Sequence, residues 1–266
     1  MAEYNVTTFE EFLTAISDND TTKVVNCPQN AEWDASDFEP EGHTGTLKLY
    51  GTINGNGTKI KNLVIKSATS PIFDVSGTTT DLHIVDGVWN CDSEIVRFSA
   101  QNSILQLCTL SASAQNATSL YGSQLYSNVA TVFRCAANIE VAQNAGTFWV
   151  HNWYVKGKYN NLKISGSKVT NVQLVGFYGN AEYSSVILDT PMITTLAGAG
   201  YNWSILRCTG ANVTNLAGVY GSAGAFSLGC SADFPNAEGN AGFVLCTEAQ
   251  LRDAAYLQSI GFPIGV

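Results

Sequence analysis

Charge is scarce in this sequence. Only 13% of the 266 residues are charged, about half of the roughly 25% that is usual for soluble domains. Disorder is not expected either, because disordered chains are rich in charge and poor in apolar residues, whereas 45% of this chain is hydrophobic. We expect one large folded unit whose surface is covered by Ser, Thr, Gly and Asn.

Basic residues are fewer still: 13 Lys and Arg face 22 Asp and Glu, which gives a net charge of -9 and a pI near 4.7. A sequence-wide basic footprint is therefore missing, and nucleic acid is not an expected partner. The sequence also lacks a run of 18 apolar residues, so no membrane insertion is expected. Its first residues carry no basic segment followed by an apolar core, so we expect no secretion signal.

Closely spaced metal or redox ligands are absent as well. The seven cysteines contain no pair two or three residues apart, and the three histidines, His43, His83 and His151, lie far apart in the chain. These spacings predict no metal site and no redox motif. No phosphate-binding or dinucleotide loop occurs either, so no cofactor is expected. We expect buried free thiols in a chain assembled in a reducing compartment.

Two helices are predicted, one near each end of the sequence. Thr7 and Glu10 have capping-box spacing, and the apolar residues that follow (Phe9, Phe12, Leu13 and Ile16) form one stripe. The second helix begins at Thr247, with Gln250 three residues later, and ends at Gly261. Both helices are expected to cover the ends of the fold.

Between the helices the sequence predicts short strands separated by Gly, Asn and Ser. The predicted strands are Leu47 to Tyr50, Leu63 to Ile65, Leu82 to Val85, Ile104 to Leu107, Ile139 to Val141, Leu162 to Ile164, Val172 to Val175 and Val186 to Leu188. No helical period of useful length interrupts them. The possible folds are therefore a β-sandwich, a β-barrel or a β-solenoid.

Internal repeats favour the solenoid. Thr195-Leu196-Ala197-Gly198 recurs as Asn215-Leu216-Ala217-Gly218, and Asn or Asp precedes several strands, as at Asn62, Asp81 and Asn161. Such copies indicate stacked coils of about 20 to 25 residues, with like residues in ladders. Parallel coils would place Leu196 beside Leu216. An antiparallel sandwich stays the alternative.

These repeats resemble the pectin-lyase-like right-handed parallel β-helix proteins, and within them the GLUG-type repeats of phage, prophage and bacterial surface proteins. The segment Thr247 to Phe262 resembles the end of such arrays. The resemblance covers about residues 45 to 262. It implies an all-β, right-handed parallel β-helix (solenoid) with short capping α-helices at both ends. We divide the chain into residues 1–45 (capping helix and first strands), 46–246 (coils) and 247–266 (C-terminal capping helix).

No catalytic constellation emerges from the sequence. The densest acidic stretch contains Asp81, Asp86, Asp92 and Glu94, with Arg97 as the nearby base. The adjacent aspartates and Gly-His-Gly of polygalacturonase-like enzymes, which the resemblance would bring, do not occur. Turn and strand-entry roles explain Asp81 and Asp86. We therefore assign no catalytic residue.

The segment 148–163 is the most distinctive, because aromatic and basic residues crowd together there. We assign it as a ligand-binding or partner-binding surface made by Trp149, His151, Trp153, Tyr154, Lys156, Lys158 and Tyr159. Trp149, His151 and Trp153 are expected to share one strand face. The alternative is that these side chains fill the core.

The sequence and the resemblance together predict a non-enzymatic structural component of a phage or prophage virion (tail, baseplate or head appendage). Host-glycan attachment is an additional role, and the expected partners are other virion proteins or copies of the chain itself. Assembly in the host cytoplasm is expected. The alternative is a polysaccharide-active enzyme or a carbohydrate-binding protein on the same scaffold.

Overall fold

A computed structural model shows a parallel β-solenoid. The residues it describes are 1–68, 71–123, 130–143, 147–151, 155–166, 169, 171–175, 181–182, 184–189, 192–193, 195–199, 201–202, 205–209, 212–213, 216–220, 226–230 and 243–261. Every pair of described strands is parallel, which confirms the solenoid and excludes the antiparallel sandwich.

The elements follow one another along the chain without a long helix. The helices are α1 (Phe9–Ile16), α2 (Ala35–Phe38), α3 (Glu248–Leu251) and α4 (Ala254–Ser259). The strands of the first half are β1 (Glu3–Asn5), β2 (Val24–Asn26), β3 (Glu32–Asp34), β4 (His43–Thr44), β5 (Leu47–Lys61), β6 (Val64–Ala68), β7 (Phe73–Cys91), β8 (Glu94–Phe98), β9 (Ile104–Gln106), β10 (Thr109–Gln115), β11 (Ser119–Ser123) and β12 (Ala130–Phe133).

The second half continues the same pattern. Its strands are β13 (Ala136–Gln143), β14 (Thr147–His151), β15 (Val155–Lys158), β16 (Asn161–Ser165), β17 (Asn171–Val175), β18 (Ala181–Glu182), β19 (Ser185–Asp189), β20 (Met192–Ile193), β21 (Thr195–Ala199), β22 (Tyr201–Asn202), β23 (Ile205–Thr209), β24 (Asn212–Val213), β25 (Leu216–Tyr220), β26 (Phe226–Cys230) and β27 (Phe243–Cys246).

Three stacks of parallel strands form the sides of the solenoid. Stack A runs through β1, β2, β5, β7, β9, β12, β15, β18 and β22. Stack B runs through β3, β5, β7, β10, β13, β16, β19, β23, β26 and β27. Stack C runs through β5, β7, β8, β11, β14, β17, β21 and β25. Strands β5 and β7 belong to all three stacks because they continue around the corners.

The repeated Leu-Ala-Gly motif predicted the register correctly, since Leu196 pairs with Leu216 in adjacent parallel strands. Coils elsewhere vary in length more than the sequence predicted. Ser119 pairs with Trp149 and Phe226 pairs with Phe243, so the first of these coils is much longer than the second. Loops between stacked strands tolerate insertions and deletions, so coil length varies while the register of the strands is kept.

Corners are made by left-handed backbone. Asn56, Asp81 and Asp86 have φ values of 52°, 56° and 54°, and short polar side chains adopt this region most readily. Glycine is required at Gly77, where φ is 137° and a Cβ would lie 2.1 Å from the carbonyl oxygen of Gly51 in the coil below. The sequence predicted that Asp81 starts a strand and that Asp86 makes a turn, but both residues lie inside the continuous strand β7.

The N-terminal helix packs on the core as predicted. Phe9, Phe12, Ala15 and Ile16 of α1 are buried, and they belong to the main core cluster. The N-cap is Thr8 rather than Thr7, because the Thr8 hydroxyl accepts from the Glu11 backbone amide. The Glu11 carboxylate in turn accepts from the amide and the hydroxyl of Thr7.

The C-terminal segment is helical, but it forms two short helices instead of one. Thr247 and Gln250 make the predicted capping box at the start of α3. Asp253 then caps α4 by accepting from the amides of Ala255 and Tyr256, so a new helix begins there. The segment reaches Gly261, whose φ is 84°. Helix α3 contacts β26 and β27.

Amide ladders connect the coils, although at other positions than the sequence predicted. The Asn54 side chain donates to Asn26 (2.8 Å), and Asn26 donates to Asn5 (3.0 Å). These three residues occupy one register row of stack A. Asn138, the third residue of β13, and Asn161, the first of β16, lie in different rows and have no Asn beside them in the register.

Four cysteines, Cys27, Cys91, Cys108 and Cys135, are buried free thiols as expected. Burial raises the pKa of Cys27 to about 12 and that of Cys91 to about 11. These two thiols are therefore protonated and inert at neutral pH. The side chains of Cys208, Cys230 and Cys246 lie outside the described residues. None of the described helices is long and apolar enough to cross a membrane.

Candidate binding surface

The predicted binding segment forms β14 and β15, but its side chains do not share one surface. Phe148 and Val150 are fully buried and Trp149 is half-buried. Lys156 is exposed, while Lys158 and Tyr159 are half-buried. Trp153 and Tyr154 lie outside the described residues, so their places in this surface stay a prediction.

His151 lies inside the solenoid. Its side chain is 1% exposed, and its ring centroid is 5.5 Å from that of the fully buried Tyr121. The alternation of inward and outward side chains breaks here, because the consecutive residues Val150 and His151 are both buried. The same two-residue run is buried in the strands stacked with β14, at Leu120–Tyr121 in β11 and Ile95–Val96 in β8. A surface ligand therefore does not reach the His151 ring.

The outward side chains of β15 join residues from two earlier coils. A corner row, which we name the αL row, consists of Asp81, Leu107, Arg134 and Tyr159, with φ values from 51° to 56°. Backbone bonds connect its rungs: the Leu107 amide donates to the Phe133 carbonyl, and the Arg134 amide donates to the Lys158 carbonyl (both 3.0 Å). The next residue in three of these coils, Cys108, Cys135 and Asn160, points inward and is buried.

Aromatic rings and cations stack around this row. The Arg134 guanidinium carbon lies 5.2 Å from the Phe133 ring centroid and 5.9 Å from that of Tyr159. The Lys158 ammonium lies 5.3 Å from the Tyr159 centroid. We name Leu107, Phe133, Arg134, Lys158 and Tyr159 the cation-aromatic patch. Of these residues, only Lys158 and Tyr159 were predicted from the sequence.

A second surface feature is a groove of about 430 Å³ on the outer side of stack B. Ser111, Asn138 and Lys163 follow one another in one register row, and Ser113, Glu140 and Ser165 in the row two residues further along the strands. Adjacent rungs are about 4.8 Å apart. The Lys163 ammonium lies 3.5 Å from Asp189 in the next coil. This face offers both hydrogen-bond donors and hydrogen-bond acceptors to an extended ligand.

The acidic stretch considered for catalysis does not converge on one site. Arg97 donates to Glu94 (2.7 Å) and to Ser93 (2.7 Å). Burial opposes ionisation of Glu94, but hydrogen bonds that include those from Ser93 and Arg97 outweigh it and lower the pKa of the carboxyl group. Asp81 lies 3.2 Å from His83 at another corner. The Arg97–Glu94 and Asp81–His83 contacts are therefore interpreted as local structural contacts and not as a catalytic site.

Within the part of the chain that the structure describes, no three His, Cys, Asp or Glu side chains come together as metal ligands. No family model, no curated protein and no solved structure matches the chain. The binding surfaces are therefore interpreted from their own geometry and charge.

Proposed function

We propose that the chain is a non-enzymatic structural component of a phage or prophage virion, in a tail, a baseplate or a head appendage. The observation that carries this proposal is the continuous parallel ladder of the described strands, in which the central coils bond to their neighbours on three sides. A stack in which every repeat bonds to its neighbours is a stiff rod. The amide ladder of Asn5, Asn26 and Asn54 adds side-chain bonds along the same axis.

The resemblance to GLUG-type repeats is also part of this proposal. We assign the coils around Leu196 and Leu216 to GLUG-type repeats of the pectin-lyase-like class, supported by their pairing one coil apart. Assembly would take place in the host cytoplasm, with other virion proteins or copies of the chain as partners. The four buried thiols suit a reducing compartment.

Particle incorporation tests this role. Particles produced by the host that carries the gene are purified by density, and their proteins are quantified by mass spectrometry. We expect the chain in a fixed number of copies per particle, with antibody labelling at a tail or an appendage. Recovery of the chain only from the particle-free cell fraction would refute the proposal.

Carbohydrate binding is the second candidate, and the groove on stack B favours it. Its polar side chains recur at the coil spacing, so a hydrogen-bonding group of some kind faces each successive unit of a polymer. This role is compatible with attachment of a virion to a host surface glycan. An enzyme on the same scaffold is the remaining alternative, since Glu140 and Asp189 lie in one row, two strand spacings or about 9.5 Å apart.

Glycan-array screening followed by calorimetry separates these possibilities. Binding through the groove predicts that Lys163→Ala and Glu140→Gln each weaken affinity about tenfold or more. The first removes a charged donor, and the second replaces a charged acceptor by a neutral amide. Gln106→Ala, on stack A, is the matched control and keeps full affinity. Release of reducing ends that disappears in Glu140→Gln would support the enzyme instead.

A further inference from the structure

Three residues of the αL row depart from the rule that the rest of the chain follows. Ten non-glycine residues of the described chain have positive φ, and seven of them are Asn or Asp. The exceptions are Leu107, Arg134 and Tyr159. These three residues occupy consecutive rungs of one corner. The rung before them is Asp81, an aspartate of the kind found at the other left-handed positions.

This concentration of bulky side chains at left-handed corners is costly for stability. Left-handed backbone is unfavourable for an ordinary L-residue, and Asn and Asp tolerate it better. Backbone strain of this kind is typical of functional sites. The outward side chains at these three rungs are therefore candidates for a functional surface.

What they present is cationic and apolar. Arg134 covers the rings of Phe133 and Tyr159, and Lys158 covers Tyr159, so the stacked cations hold positions that a sugar ring would need for stacking on these aromatics. Leu107 is 40% exposed beside them. A guanidinium held flat on aromatic rings offers its N–H groups to a carboxylate in a fixed geometry. The patch thus favours an acidic protein surface with an apolar side chain.

The chain itself carries such a surface, because its charge is unevenly distributed. Residues 1–133 contain 15 of the 22 acidic residues and six of the 13 basic ones, so they account for the whole net charge of -9. Residues 134–168, by contrast, contain five basic residues and one acidic residue. Asp189 lies 3.5 Å from Lys163, and Glu182 pairs with Lys158 in the register of the next coil. Attraction of an acidic surface from another copy therefore rests chiefly on the exposed Arg134.

The N-terminal coil supplies an apolar residue among exposed acids. Phe38 of α2 is 40% exposed, and its ring meets that of Phe9 edge to face at 6.3 Å between centroids. Asp37 precedes Phe38, Glu10 follows Phe9, and both carboxylates are exposed. We name Glu10, Asp37 and Phe38 the cap patch.

We propose that the cap patch of one copy docks on the cation-aromatic patch of a second copy of this chain. Asp37 and Glu10 would meet Arg134 and Lys158, while Phe38 would pack on Leu107. The two surfaces differ, so the contact is heterologous and further copies add in the same way. The contact does not depend on the virion role, and it is tested with the purified chain alone.

Sedimentation velocity of the full chain over a range of concentrations measures this contact. We expect association at low ionic strength that weakens as salt screens the charges. Arg134→Asn should weaken association about tenfold or more. It should not lower the melting temperature, since Asn is favoured at a left-handed corner. Arg252→Asn, which removes an exposed guanidinium near the other end of the chain, is the matched control and keeps wild-type association.

A charge exchange identifies the two partners in the contact. Arg134→Glu alone and Asp37→Lys alone should each stay monomeric, because like charges then meet. An equal mixture of the two should associate. Asp37 of the first variant can meet Arg134 of the second, and the substituted residues of the two variants also carry opposite charges. Three outcomes would overturn the proposal: a wild-type chain that is monomeric throughout, an Arg134→Asn variant that associates like wild type, or folded exchange variants that do not associate when mixed. None of these outcomes changes the result of the particle-incorporation test.

Discussion

At the scale of single residues, corner positions decide both stability and surface. Asn102, Asn116 and Asp81 hold left-handed backbone with short polar side chains, whereas Leu107 holds the same conformation with a branched apolar one. Asp81 and Leu107 lie on consecutive rungs of the αL row, so the corner geometry is the same and only the side chain differs. Stability and exposed surface are therefore in competition at Leu107.

Leu107→Asn should stabilise the chain by about 0.5–1 kcal/mol, because Asn relieves left-handed strain and the Leu107 side chain is 40% exposed. Asn102→Leu, at an exposed corner with the same φ of 56°, should destabilise by a similar amount. Thermal unfolding of both variants measures the two shifts. A lower melting temperature for Leu107→Asn would show that Leu107 contributes packing that outweighs its backbone strain.

At the scale of elements, the sequence predicted helix positions and strand phases well where one rule acts alone. The stripe of α1 and the capping box of α3 were both found, because each is a local pattern. The buried run Val150–His151 was missed, since strand alternation alone does not show it and its counterparts lie in two stacked strands. Arg134 was missed for the same reason: its neighbours Leu107 and Tyr159 each lie a whole coil away in the sequence, and only the register brings them together.

Undocking of α1 should expose the first coil. Phe12 is fully buried against Trp33, with 5.8 Å between ring centroids. Phe12→Asp should destabilise by about 3–5 kcal/mol through the lost core side chain and the buried charge. The variant should then aggregate through open strand edges. Thr14→Asp, on the exposed face of α1, should behave like wild type in light scattering and thermal unfolding. A soluble and heat-resistant Phe12→Asp variant would show that α1 is dispensable.

The N-terminal coil should loosen in acid. Hydrogen bonds from Lys23 lower the pKa of Asp18, those from Lys61 and Lys59 lower that of Glu32, and those from Ser36 and Asn62 lower that of Asp34. A carboxyl group whose folded pKa lies below its unfolded value stabilises the fold fully above the unfolded value and loses that effect as pH falls through the folded one.

Hydrogen-exchange protection of the α1 amides should therefore be constant from about pH 7 to 5 and fall below about pH 4. Glu32→Gln should reduce this pH dependence, because the substituted side chain no longer takes up a proton. Protection that rises as pH falls would contradict the assignment of these carboxylates.

At the scale of the whole molecule, repetition predicted the architecture and charge distribution suggested the contacts. Stacked parallel coils put repeated residues beside one another, so the recurring Leu-Ala-Gly motif was sufficient to place Leu196 beside Leu216. The groove on stack B has no signal in the sequence, because Ser111, Asn138 and Lys163 come from three different coils and have different chemistry. Function follows from such surfaces rather than from the scaffold that carries them.

Cryo-electron microscopy of the purified particle tests the central claim most directly, namely that this solenoid is a structural part of a virion. The account predicts a rod-shaped density in a tail, a baseplate or an appendage, with coils about 4.8 Å apart, into which the chain fits. Particles whose every density is explained by other proteins, in a preparation from which the chain is absent, would contradict it.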